Sequence, residues 1–505
     1  MDKTVQGYLD RYGVREDTRA FLEQEQRMLV GENWVYASER QSHAVNEFST
    51  GGVITHIPLA TVDDVDAAVA AARYQFEGGP WAQMSGLQRE RLINRLADLM
   101  EENAEQLAEI ESVDVGKNRG IAREVDIQGS IDTLRYFAGW SSKLSGRVGE
   151  PCSLPGDYLA YTTREPVGVV GSIAPWNFPL NTLCWKLGAT LATGCTTVIK
   201  PAELTSLSSL RLAELVVEAG FPPGVVSILS GTGAVVGQAM SVHPGVDKLT
   251  FTGSTAVGKQ VGEAAVRKLS HLTLELGGKS AVIVLEDVDI KRTAQKVAEG
   301  IFFNAGQVCD AGSRLYVQES IYRPFLEALV EYAGTLEIGP GLAADSFIPP
   351  QVGRKQYETV LSYIRKGIEE GAELVCGGLP EDDEAGVYVN PTIFANCRND
   401  MAIVREEIFG PVLVTAPFDS DDDAVALAND SDYGLAAAVY GKDITRVLRL
   451  APRLQAGTVK INGDGMVDPA MPFGGYKQSG IGKDLGQEQL DHFLETKTVF
   501  VNLND

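Results

Sequence analysis

Apolar side chains recur at helical spacing through Val65, Ala68, Val69 and Ala72, behind a Thr61 and Asp64 pair that reads as an N-cap. A second periodic stretch runs from about Gln88 to Glu111 and predicts one long helix. The pattern then turns polar and Pro/Gly-bearing between Ser145 and Thr163, ending in the alternating Tyr158-Leu159-Ala160-Tyr161, which reads as a hairpin-like excursion. From Val167 onward, short β-branched runs alternate with helical stretches. Val167 to Ile173, Thr196 to Ile199, Val225 to Leu229 and Lys248 to Phe251 are the expected strands, and Thr205 the expected cap of the helix that ends before Gly220. A second series starts at Ser280 to Leu285 and continues through helices near Ile290 to Phe303, Ile321 to Tyr332 and Tyr357 to Gly371. Repeated βα units imply parallel, doubly wound sheets, so the fold class is α/β with two Rossmann-like domains and a boundary near Gly277-Gly278.

The 505 residues leave room for two to four domains, and no apolar run approaches the roughly 20 residues of a membrane helix. The first 20 residues lack a signal-peptide pattern. The net charge of −24 makes nucleic acid and acidic membranes poor partners. Six cysteines without a CxxC pair or a nearby His at zinc spacing point to a reducing, cytoplasmic setting without a structural metal. Five of them (Cys152, Cys184, Cys195, Cys376 and Cys397) read as buried thiols. The acidic runs Glu381-Asp382-Asp383-Glu384 and Asp421-Asp422-Asp423 read as solvated faces.

Cys309 differs in standing in a small, polar loop, Asn304 to Arg314, where substrate could reach a thiol; its plain alternative is one more core cysteine. Glu275 lies between leucines before Gly277-Gly278, where apolar surroundings would raise its pKa toward that of a general base, unless it is a strand-end Glu facing water. Asn177, in Pro175-Trp176-Asn177-Phe178-Pro179 after the first strand, could offer its amide to an oxyanion or serve as a turn residue. Gly253-Ser254-Thr255 opens a helix where free N–H groups favour a pyrophosphate, and Lys200-Pro201-Ala202-Glu203 places a carboxylate where ribose hydroxyls would bind. Gly231-Thr232-Gly233 with Gly237 only loosely echoes GxGxxG.

Taken in order with the Gly306 to Cys309 loop, Glu406 to Pro411 and Pro472 to Lys477, these segments resemble the NAD(P)-dependent aldehyde dehydrogenase superfamily over about residues 28–501. The resemblance implies a cofactor domain (1–144 and 165–277), a catalytic domain (278–485) and a β oligomerisation arm (145–164 and 486–505), assembling as a homodimer or homotetramer. It makes Cys309 the nucleophile, Glu275 the general base, Asn177 with the Cys309 N–H the oxyanion hole, and Lys186 part of the base's proton path. It assigns NAD, with NADP as the alternative, to Ala174, Pro175, Trp176, Lys200, Glu203, Gly233, Gly253, Ser254, Val257, Leu276, Gln356, Glu407 and Phe409. No metal is implied.

The implied reaction is aldehyde oxidation through a thiohemiacetal and a thioester, and a carboxylate at Glu275 favours free acid over the product of CoA-acylating relatives. Retention of Cys309, Glu275 and Asn177 together speaks against a silent structural protein on this fold. The implied substrate tunnel is Gly129, Phe178, Thr182, Trp185, Val308, Asp310, Val467 and Phe473. Small residues at Gly129, Thr182 and Val467 favour a long or ring-bearing aldehyde, such as phenylacetaldehyde or a retinal-like chain. Asp310, Asp464 and Asp468 favour the competing cationic amino-aldehyde. Two positions depart from the family pattern: Cys195 follows a glycine where Asn is commoner, and Asp310 directly follows the nucleophile, where it would disfavour the thiolate or point to substrate.

Overall fold

A computed structural model describes residues 1–380, 386–463 and 465–504. The acidic run at Glu381 to Glu384 and the residue Asp464 lie outside the described residues.

The first sheet has eight strands, five of them parallel in the order Val226–Ile228, Thr196–Lys200, Val169–Ile173, Lys248–Thr252, His271–Glu275. Every residue of Val169–Ile173 and Thr196–Lys200 is buried, because helices cover both faces and leave no wet side to reward alternation. Val170 packs with the helices Gly86–Glu102, Ala104–Val115 and Pro179–Thr193, whereas Val169 and Ile173 pack against Val62–Glu77. Chain order reverses between Val169–Ile173 and Lys248–Thr252, so the crevice outside the carboxyl ends there is where an open α/β sheet takes its ligand.

The chain crosses from this sheet to a second one between Glu275 and Ala281. Six of the second sheet's seven strands are parallel: Thr392–Ala395, Val412–Phe418, Arg314–Gln318, Ala281–Val284, Ala436–Tyr440 and Thr458–Ile461. Late in the chain, Gly480–Ile481 returns to the first sheet and pairs antiparallel with Leu274 and Glu275. That return carries 472–486 to the end of the Glu275 strand. A third sheet joins Val148–Gly149, Tyr158–Pro166 and Leu494–Asn502, all antiparallel.

Three local expectations change. The periodic stretch from Gln88 to Glu111 is two helices, broken at Asn103, whose amide donates to the Leu99 carbonyl while its oxygen accepts from Arg211. Thr205 does not cap the next helix; Leu207–Glu218 is capped from afar, the Leu207 N–H donating to Asp114 at 2.8 Å, and the Thr205 hydroxyl donates to the Trp176 carbonyl. Of the five cysteines expected inside, Cys184, Cys195 and Cys397 are buried, but Cys376 is half-buried and Cys152, on the Pro/Gly-rich excursion, is exposed. The second acidic run lies at the surface, as expected, in the first turn of the helix Asp421–Asn429, where the dipole favours it, and Arg446 and Arg453 pair with Asp421 and Asp422.

Candidate active site

The carboxyl edge of the first sheet faces the amino edge of the second across one cavity of about 1270 Å³. Strand ends of the first sheet contribute Ala174, Pro175, Trp176 and Asn177, then Lys200 with Glu203, then Gly253 with Ser254, then Glu275 with Leu276. The second sheet contributes segments that enter its strands: Val308, Cys309 and Asp310 before Arg314–Gln318, and Glu407 and Phe409 before Val412–Phe418. Gly129, Phe178, Thr182, Trp185, Gly233, Val257, Gln356, Val467 and Phe473 complete the expected lining. Among the described residues, Lys186 is the one expected site residue that does not line the cavity.

At one end stand the groups suited to a dinucleotide. Ser254 caps the 14-residue helix Thr255–Lys268, its hydroxyl accepting from the Val257 N–H, which leaves free first-turn amides for a phosphate. Lys200 is buried and donates to Glu203 at 3.1 Å. Burial pushes the Glu203 carboxyl up, but the Lys200 charge and a backbone hydrogen bond outweigh it and hold it below the usual range. Glu407 accepts from the Gly278 N–H at 3.0 Å, and a side chain at Gly277 would overlap its carboxylate. Burial pushes Glu407 up to about 7, against the pull of that N–H and of Lys279. Phe409, itself at φ 57°, meets Trp176 edge-on at 5.2 Å, and Gln356 donates to its carbonyl at 2.8 Å.

Toward the other end, the Cys309 loop is preceded by three left-handed residues, Asn304, Ala305 and Gly306, at φ 49°, 54° and 70°. For Asn and Ala this backbone is costly, and a buried amide set holds it. Gln307 donates to the Asn304 carbonyl and accepts from the Val352 N–H, while Gln351 donates to the Ala305 carbonyl. Asn177 donates to the Gln307 carbonyl at 2.9 Å, so one amide hydrogen is engaged and the other remains for a ligand. Cys309 is half-buried, and its thiol is pushed well above the usual range by burial, then by Asp310, Glu407 and Glu275, with Lys460 opposing.

Glu275 is buried, and among the described residues neither of its oxygens has a hydrogen-bond partner. Burial, then the Asp484 charge, raises it well above the carboxylate range, with Lys186 and Lys483 opposing. A Cβ at Gly474, whose φ is 149°, would overlap Glu275, so close backbone approach requires glycine there. Lys186 pairs with Asp484 at 2.7 Å, both side chains buried, and Gln489 donates to the other Asp484 oxygen at 3.0 Å. Sequence reasoning missed Asp484, Gly474, Gln307 and Gln351. The Lys-Asp-Leu-Gly turn at 483–486, just beyond the Pro472 to Lys477 motif, was the available signal for Asp484; the two glutamines had none of their own.

Two tunnel expectations are refined. The space opposite Gly129 is not empty, because a Cβ there would meet the Asn181 amide nitrogen at 2.6 Å. Asp310 is paired with Lys460 at 2.8 Å, so its charge enters the wall already matched.

A sequence model described as the Aldehyde dehydrogenase family matches residues 34–499. The chain belongs to this family. Phenylacetaldehyde dehydrogenase of Pseudomonas fluorescens is 44% identical to this aldehyde dehydrogenase over 479 residues, 94% of this chain and 95% of that protein. The NAD+ complex of an aldehyde dehydrogenase from Bacillus cereus matches its fold with a TM-score of 0.95 at 45% identity, covering 97% of this chain and 99% of that one. A betaine aldehyde dehydrogenase from Staphylococcus aureus, also in complex with NAD+, matches at a TM-score of 0.94 and 37% identity over 97% of each chain. Among the described residues no helix is long and apolar enough to cross a membrane, and no three His, Cys, Asp or Glu side chains gather to hold a metal ion.

Proposed function

We propose that this aldehyde dehydrogenase oxidises a ring-bearing or otherwise bulky apolar aldehyde to its carboxylic acid, with Cys309 as nucleophile and Glu275 as general base. The observation that carries the reading is the convergence of Cys309, Glu275 and Asn177 on a cavity continuous with Lys200, Glu203 and Ser254.

The donor set fits NAD. The amides behind Ser254 suit the pyrophosphate, Glu203 with Lys200 the adenosine ribose, and Glu407 the nicotinamide ribose, where the glycine at 277 gives its carboxylate room. When bound, NAD accepts a hydride from the substrate carbon. Cys309 gives up its proton to solvent and its sulfur attacks the aldehyde carbon, so that a C–S bond forms as the C=O π bond opens and its electron pair stays on oxygen as a thiohemiacetal oxyanion. That oxyanion accepts hydrogen bonds from the free Asn177 amide hydrogen and the Cys309 N–H. After oxidation, a thioester joins the acyl group to Cys309. Glu275 takes a proton from water, the hydroxide adds to the thioester carbon, the C–S bond breaks, and acid leaves. Its apolar, bondless burial makes ionised Glu275 a strong base, and the Lys186–Asp484 pair behind it supplies the polar groups through which its proton can leave.

The substrate end of the cavity is walled by Phe178, Trp185, Phe303, Phe347 and Phe473, which supports an apolar, ring-bearing substrate. The likeness to phenylacetaldehyde dehydrogenase agrees with it. A cationic amino-aldehyde is the second reading, favoured by Asp310 and Asp468 in the lining and by the likeness to a betaine aldehyde dehydrogenase. Lys460 already matches the Asp310 charge, which weakens it. A kcat/KM panel of phenylacetaldehyde, retinal, 4-aminobutyraldehyde and betaine aldehyde decides the matter. A preference for either cation overturns the apolar reading.

The three domains are assigned to 1–144 with 165–277, to 278–485, and to 145–164 with 486–505. The third sheet, with Val148, Leu159 and Phe500 exposed, is the arm through which copies pair as a dimer or tetramer. Its six free cysteines suit the cytoplasm.

A further inference from the structure

Behind the tunnel wall lies a buried charge cluster for which the reaction has no use. Lys117 follows Gly116, which ends the helix Ala104–Val115 at φ 85°. Its ammonium donates to Asp126 at 2.6 Å, with both side chains essentially without solvent contact. Glu111 is buried beside them. Such a cluster is expensive to bury in a tightly packed helical layer.

The same ammonium stands 3.7 Å from the centroid of the Phe178 ring. Phe178 also stacks on Phe303, with centroids 6.3 Å apart and planes 18° from parallel. Both rings line the cavity, and Phe178 follows Asn177 directly in sequence. Asp126 belongs to a π-helical turn, Ala122–Ile127, a geometry that leaves carbonyls without their usual helical donors. Asn181, on the helix that begins after Phe178, donates to the carbonyls of Val125 and Asp126. The widened turn, the ion pair and the ring are therefore one connected assembly.

The geometry points to Lys117 as a positioning residue of the aldehyde tunnel: held by Asp126, its ammonium fixes the Phe178 ring against Phe303 and so tunes the tunnel for ring-bearing aldehydes. A buried cation against a ring face is a strong non-covalent hold, and desolvation strengthens it. A short aldehyde reaches Cys309 without leaning on Phe178, whereas a ring-bearing one packs against it. The inference rests on the proposed assignment of this cavity to an aldehyde.

The test uses the full-length enzyme with NAD. Lys117→Met keeps the aliphatic stem but removes the cation, and Lys117→Met combined with Asp126→Asn removes the carboxylate left unmatched, guarding against misfolding. The expected result is a rise of about tenfold in KM for phenylacetaldehyde with kcat little changed, unchanged kinetics with acetaldehyde, and recovery in Lys117→Arg. Crystals of the double variant should show the Phe178 ring displaced. Equal losses for both aldehydes, or an unmoved ring, would overturn the inference. If the unaltered enzyme oxidises neither aldehyde, the proposed function fails, and the ring position in the variant crystals still decides the role of Lys117.

Discussion

The two walls of the cleft are built on opposite principles. The first-sheet wall is made of strand carboxyl ends and a helix N-terminus, where the backbone itself presents the useful groups: free amides behind Ser254, and a rigid Pro-bounded turn at Asn177. The second-sheet wall is made of segments entering their strands, bent by left-handed residues at Asn304, Ala305, Gly306 and Phe409 and pinned by the buried Gln307 and Gln351 and the half-buried Gln356. Left-handed backbone costs a non-glycine residue of the order of 1–3 kcal/mol, so this wall holds its shape through added hydrogen bonds, local from Gln307 and long-range from Gln351 and Gln356. The residues proposed for the cofactor thus sit on regular architecture, while the proposed nucleophile sits on an imposed one.

The largest effect should come from the imposed wall. Cys309→Ala is expected to lower steady-state turnover by roughly 10⁴-fold or more, with Cys376→Ala unaffected. Retained turnover in the Cys309 variant would reassign the nucleophile. Next comes the proposed base on the regular wall. Glu275→Gln should cut turnover by about 10² to 10⁴ while keeping a pre-steady-state burst of reduced cofactor, because acyl-enzyme still forms. Loss of the burst along with turnover would show that Glu275 also takes the thiol proton.

Legibility follows the same division. The four expected strands of the first sheet lie within a residue or two of their expected ends, since buried β-branched runs and turn residues carry local signals, whereas its other four strands were not expected. Asn177, Glu203 and Ser254 were visible because motif and strand end coincide. The break at Asn103 was not, since helical periodicity continues across it and only the contact with Arg211 marks it. Asp114 as the cap of a distant helix, and Gln307, Gln351 and Asp484 as supports, act across about 45 to 300 residues of chain, which no local pattern encodes. The effect of Asp310 on the thiol could not be read until Lys460 was placed beside it.

Cofactor choice tests the regular wall alone. An added 2′-phosphate would meet the Glu203 carboxylate, and one like-charge pair at about 4 Å costs about 4 kcal/mol at an effective dielectric of 20, before screening. Lys200 offsets part of this. The expected result is a preference for NAD of about 10- to 100-fold in kcat/KM, largely lost in Glu203→Gln. An NADP preference, or one indifferent to Glu203, would remove this carboxylate from the choice.

Matched deletions compare the supports directly. Gln307→Leu leaves the Asn304 carbonyl only its bond from the Gln307 backbone N–H and strips the Val352 N–H of its buried acceptor, and should destabilise by about 2–3 kcal/mol, with a drop of roughly tenfold in turnover. Thr205→Val removes one bond to the Trp176 carbonyl and should cost about 1 kcal/mol with kinetics nearly intact. Equal losses, read by denaturant unfolding and steady-state rates, would erase the distinction between the walls.

The smallest effect is a pH dependence at Glu407, where the imposed wall meets the cofactor. Its carboxyl is raised to about 7 by burial, so it passes from ionised to protonated as pH falls through neutrality. Only the ionised form offers two unprotonated oxygens to ribose hydroxyls, and KM for NAD should therefore rise severalfold between about pH 8 and pH 6. Lys279, pushed down to about 7 by burial and then by Arg314, gains charge over the same interval and favours ionised Glu407, which blunts the change. The sign for stability follows from the raised value: the group's contribution is fully present below the unfolded carboxyl range and is lost as pH rises through about 7. Glu407→Gln should accordingly flatten the KM profile and raise the melting temperature relative to the unaltered enzyme above pH 7 but not near pH 5. A profile that stays steep in Glu407→Gln would move the titration to Lys279, and Lys279→Met would then flatten it.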